Sequence, residues 1–121
     1  MAKKIMIFDD EADVLFIMRL RLESLGYEVV TKQTCEKIIE VVGENQPALV
    51  IMDNWIPDIG GIEATKLLKN DNLLKKIPVI MCTASKDAKA ISDSAGADGY
   101  IEKPFDLKLL IHIVTKHLEA N

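Results

Sequence analysis

The chain has little of what would take it out of the ordinary globular class. Among its 121 residues there are two cysteines, Cys35 and Cys82, with no C-x-x-C and no histidine-rich surroundings. That argues against a zinc site or a dithiol redox motif and leaves two reduced thiols as the expectation. No uninterrupted apolar stretch approaches the length needed to span a bilayer. The apolar run after "MAKK" is cut by Asp9, far too early for a secretory signal. There is no Lys/Arg-rich block and the net charge is −4, so direct binding to nucleic acid, which phosphate contacts dominate, is not expected. Linkers, low-complexity segments and internal repeats are also missing. The expectation is one soluble, cytoplasmic domain over residues 1–121, long enough to bury a real core.

What is present alternates. Short apolar runs, "KKIMIFDD", "YEVVT", "ALVIMD", "IPVIMCTA" and "GYIEK", are separated by longer amphipathic stretches. Leu15, Met18, Leu22 and Leu25 recur at helical spacing and Gly26 is a natural stop. Thr34 is placed to cap a second helix running to about Gly43, with Ile38, Ile39 and Val42 inward. A third helix is expected from Ile62 to about Asn70, and a fourth from Asp87 to Ala95, stopped by Gly96. Asp106 is placed to cap a fifth, with Leu107, Leu110, Ile111, Val114 and Leu118 on one face. Five strands alternating with five helices predict an α/β fold, a parallel sheet covered by helices on both faces. The runs ending in Asp53 and Thr83 are apolar on both sides, as central parallel strands should be.

Ligands of such sheets bind beyond the carboxyl ends of the strands. Asp9 and Asp10 end strand one, Asp53 ends strand three, Thr83 ends strand four and Lys103 ends strand five. Three carboxylates close together disfavour one another's ionisation, and a hard divalent cation relieves this. Oxygen ligands suit magnesium, which shares its coordination with phosphate oxygens. Lys103 adds a point charge and Thr83 a hydroxyl donor, and an aspartate can accept a phosphoryl group covalently. Taken singly, each residue has a plainer reading: the aspartates as helix caps or loop residues, Thr83 as a strand residue, Lys103 as a solvated surface lysine, Tyr100 as a half-buried edge aromatic, Trp55 as a hydrophobic plug over its turn. It is their company that favours chemistry. His112 and His117 lie away from every strand end. Met6, Met18, Met52 and Met81 read as core.

These residues carry a likeness. The Asp9–Asp10 pair, Asp53, the "PDIGG" turn, Thr83–Ala84 and Lys103–Pro104–Phe105, in that order at successive strand ends, resemble the receiver domain of two-component response regulators, of the single-domain chemotaxis-like type, along the whole chain. The resemblance implies a doubly wound, flavodoxin-like sheet of order 2-1-3-4-5. It implies Mg²⁺ held by Asp9, Asp10, Asp53 and the Trp55 backbone carbonyl, with Asp9 acting largely through a water. Asp53 would be the phosphoacceptor, Thr83 and Lys103 would bind phosphoryl oxygens, and Thr83 and Tyr100 would switch. It further implies a cis peptide before Pro104 and a role as a signalling switch, not an enzyme, that catalyses only its own phosphorylation and dephosphorylation. The donor would be a sensor histidine kinase, a phosphotransfer protein or a small acyl phosphate. The face of helix four, strand five and helix five would then bind a downstream protein or pass the group onward. No output domain is expected after helix five, so output would fall to a partner; a monomer is expected, with dimerisation on phosphorylation left open. The bulky Trp55 departs from the usual pattern and bears on access to Asp53. Two rival readings fit the residues less well. A haloacid-dehalogenase-like phosphohydrolase needs a second aspartate where Trp55 stands, and a phosphorylation-independent scaffold would not need the full set of site residues.

Overall fold

The structure, a computed structural model, describes residues 2–119. Its elements run β1 (Lys4–Phe8), α1 (Ala12–Glu23), β2 (Glu28–Lys32), α2 (Ile38–Asn45), β3 (Leu49–Asp53), α3 (Gly61–Asn70), β4 (Val79–Thr83), α4 (Ala88–Ala95), β5 (Gly99–Glu102) and α5 (Leu107–Leu118). The strands form one parallel sheet of order β2-β1-β3-β4-β5, the expected α/β arrangement. The residues 1, 120 and 121 of the expected domain lie outside the described residues.

Alternation along the strands sorts the core into two layers. Ile5, Ile7, Leu49, Ile51, Ile80, Cys82 and Ile101 face α1 and α5, where they meet Leu15, Met18, Leu22, Leu110, Val114 and Leu118. Met6, Phe8, Val50, Met52 and Val79 face the other way, against Ile38, Val42, Ala64 and Leu68 of α2 and α3. The four methionines expected in the core are buried, and both cysteines are buried and free.

Two local expectations are corrected. Thr34 does not cap α2: its hydroxyl accepts weakly from the Glu36 N–H, and the helix begins only at Ile38, after Lys37 in a left-handed conformation. The α2 helix also runs past Gly43 to Asn45, stopping at Gln46 with positive φ. By contrast Asp106 does cap α5, accepting from Leu109 N at 2.8 Å, and Gly96 closes α4 in the left-handed region at φ 80°.

Pairing continues a residue past the strands and sets the next residues in register. Phe8 pairs with Met52, and Asp53 with Cys82. Beyond them, Asn54 N donates to Cys82 O and Lys103 N to Thr83 O. The ends of β1, β3, β4 and β5 therefore form one ledge beside the point where strand order reverses.

Candidate functional site

On that ledge Asp9 and Asp53 are buried, 3% and 5% exposed, while Asp10 is open to solvent. A carboxylate oxygen from each of the three lies within 4.8 Å of the others. Lys103 reaches over from the end of β5 and donates to Asp9 Oδ2 at 2.9 Å and to Asp53 Oδ1 at 2.8 Å. One ammonium thus offsets two buried negative charges. It follows that burial, which alone would pull the Lys103 ammonium down, is outweighed by its bonds to Asp53 and Asp9, and its pKa lies above the ordinary lysine value. For Asp53 burial is the largest effect and raises the carboxyl above its usual range; Lys103 and the Trp55 N–H work against it, and Asp9 adds to it.

Local geometry orients the remaining oxygens. Asp9 Oδ1 accepts from Glu11 N at 2.9 Å, so this residue also ties down the entry to α1. Asp53 Oδ2 accepts from Trp55 N at 3.2 Å. No side-chain bond engages the Asp10 carboxylate among the described residues, which leaves it free as a ligand. The donor set is all oxygen, anionic and clustered, which fits a hard divalent cation such as magnesium. The Thr83 hydroxyl is fully buried and accepts from Asn54 Nδ2 at 3.3 Å and from Ser85 N at 3.1 Å.

The turn after β3 depends on one close approach. A Cβ placed on Gly61 would lie 2.2 Å from the Asp53 carbonyl oxygen, a distance no side chain tolerates, so only glycine lets α3 start directly behind the phosphoacceptor candidate. Gly61 N donates to Asn54 O, closing the loop. Cys35 holds its far side: its N–H and its thiol both donate to Pro57 O, at 3.1 and 3.2 Å.

Trp55 is not the plug its chemistry suggested. Its side chain is 76% exposed, beside an open groove shared with Ile59, Ser85 and Ile91. Tyr100 sits part-exposed on the edge strand β5, its position paired with Met81. The peptide between Lys103 and Pro104 is cis. The site residues Asp9, Asp10, Asp53, Thr83 and Lys103 therefore do meet at one ledge, with Trp55 at its rim and Tyr100 outside it. Sequence reading passed over Asn54, whose signal was a polar residue immediately after the aspartate and still within the buried run. It also passed over Cys35, which no pattern marks.

The sequence profile of the response regulator receiver domain matches residues 5–115. The phosphate regulon transcriptional regulatory protein PhoB of Pseudomonas aeruginosa is 37% identical over 111 residues, covering 90% of this chain but 48% of that protein; the chain spans about half the length of that regulator. The polar-differentiation response regulator DivK of Brucella ovis is 32% identical over 120 residues, 98% of each chain. Among solved structures, a CheY-like response regulator receiver domain protein from Methanospirillum hungatei superposes with a TM-score of 0.88 at 29% identity, covering 99% of this chain and 96% of that one.

Proposed function

The chain belongs to the response regulator receiver family, and from that premise we propose that Asp53 is its phosphoacceptor and that residues 1–121 act as one receiver domain. The observation that carries this is the pairing of one lysine with two buried aspartates at the strand ends: a stability role alone gives no reason to bury two like charges side by side. A carboxylate oxygen of Asp53 attacks the phosphorus of a phosphohistidine or small acyl phosphate. The bond from phosphorus to the donor's nitrogen or oxygen breaks, its electron pair leaves with the donor atom, and a donor imidazole then takes a proton. Lys103 holds Asp53 ionised against the effect of burial and, once the group has arrived, turns to its oxygens. Thr83 donates its hydroxyl to another.

Asp9, Asp10, Asp53 and the Trp55 backbone carbonyl would hold the magnesium ion. When bound, Mg²⁺ neutralises charge gathering on the transferring phosphoryl oxygens. The receiver is a signalling module, and in this reading it turns over nothing but its own phosphoryl group. The donor is a histidine kinase or phosphotransfer protein, and the face of α4, β5 and α5 with Tyr100 carries the signal to a downstream protein. A groove of about 460 Å³ between α1 and the β5–α5 connection, lined by Ile17, Met18, Pro104 and Phe105, borders Lys103 and gives a protein donor an apolar seat beside the site. No described helix is long and apolar enough to cross a membrane, which suits a cytoplasmic monomer that meets its donor there. With Trp55 turned outward, the acyl phosphate lies open to water and to a partner.

Incubating the chain with acetyl phosphate and Mg²⁺ should add one phosphoryl group by intact mass, and Asp53→Asn should abolish the addition. Labelling of that variant at the same stoichiometry would sink the assignment, and repeated turnover of phosphomonoesters would favour a phosphohydrolase.

A further inference from the structure

The Asn54 carboxamide is buried, 6% exposed, and points its nitrogen at the Thr83 hydroxyl, a contact that none of the roles above requires. A hydroxyl has one proton to donate and two lone pairs to accept with. Both acceptor positions of Thr83 Oγ1 are filled, by Asn54 Nδ2 and by Ser85 N. The proton is the one function left to it, and filling the lone pairs polarises the O–H toward donation. The root of Asn54 is fixed as well, because its N–H is bonded to Cys82 O on β4 and its carbonyl to Gly61 N at the start of α3.

We propose that Asn54 is a positioning residue for phosphoryl binding: its carboxamide commits the Thr83 hydroxyl to act as a donor toward the phosphoryl group on Asp53. This rests on the reading of Asp53 as phosphoacceptor. Without the amide, the hydroxyl rotor regains an open lone pair and the donor is no longer held in one orientation. The hydrogen bonds of the Asp9 and Asp53 carboxylates go to Glu11, Trp55 and Lys103, none of them to the Asn54 side chain, so metal affinity and phosphoryl affinity should separate.

Beryllofluoride, a tetrahedral stand-in for a carboxyl-bound phosphoryl group, serves as the probe, added with Mg²⁺ and followed by calorimetry and by the fluorescence of Trp55. Asn54→Leu should bind Mg²⁺ alone within about twofold of the parent chain and beryllofluoride about tenfold more weakly. In a Thr83→Val background, which has no hydroxyl to hold, Asn54→Leu should have no further effect. Unchanged beryllofluoride affinity, a parallel loss of Mg²⁺ affinity, or an equal loss in the Thr83→Val background would each overturn the proposal. Should Asn54→Leu fail to fold, Asn54→Ser, too short to reach Thr83, is expected to give the same separation. A parent chain that binds Mg²⁺ but no beryllofluoride would remove the phosphoacceptor reading itself, and this inference with it.

Discussion

The phenol of Tyr27 donates to the Glu119 carboxylate just past α5. Burial first, then that bond and the neighbouring charge, push its pKa up to about 12. The folded state therefore keeps the proton that the unfolded chain releases near 10, and the stability this contributes is present below pH 10 and lost as pH rises toward 12. Denaturant unfolding between pH 9 and 11.5 should show the parent chain losing stability more steeply than Tyr27→Phe; equal slopes would mean the phenol is unconstrained. Legibility at this scale was uneven. Asp53 stood out because a carboxylate ending an apolar run has no cheap explanation. Lys103 and Thr83 gained meaning only from falling at strand ends. Trp55 misled, because an indole's chemistry suggests burial while its direction is set by a turn whose geometry no local pattern encodes. Asn54 escaped notice because an amide's role depends on which hydroxyl lies opposite, and that is fixed by the pairing of β3 with β4.

Among the elements, α1 and α2 mark the limit of periodicity. The expected stripe of Leu15, Met18 and Leu22 is buried, but Leu25 is not, and Phe16, Ile17 and Leu20 face solvent, Phe16 at 66%. A helix apolar over much of its circumference gives no clean phase, so spacing alone does not tell which of its apolar residues turn inward. For α2, Thr34 looked like a cap, but a buried Cys35 bonded to Pro57 ties the chain to the β3–α3 loop there, and the helix starts only at Ile38; a tertiary contact overrode the local preference. The α3 start was legible as a glycine pair, though not which glycine mattered. Gly61→Ala should drive a methyl into the Asp53 carbonyl, lower stability by about 1–3 kcal/mol and slow phosphorylation even in the fraction that folds. Denaturant melts combined with mass-resolved labelling test both parts, and a fully active, fully stable Gly61→Ala chain would show that the loop yields freely.

Across the whole molecule, the sheet was legible because five apolar runs alternating with helices leave few right-handed solutions, and the likeness of its strand ends to a known family supplied the strand order. That order brings β1 and β3 side by side, and so Asp9 beside Asp53. Because the cation would bind the folded ledge and not the unfolded chain, Mg²⁺ at a hundred times its dissociation constant should stabilise the fold by about 2.7 kcal/mol, seen as a rise of several degrees in melting temperature. Asp10→Asn should remove most of that rise while leaving the metal-free melting temperature nearly unchanged, since Asp10 is exposed; a full rise in the variant would exclude Asp10 as a ligand. The lysine that quiets the ledge comes from position 103, whereas the aspartates it pairs with are at 9 and 53. On a ribosome, both acids emerge long before their counter-charge does. Until the fifth strand has been made, the two like charges that β1 and β3 bring together have no lysine between them, so closing the ledge waits on β5.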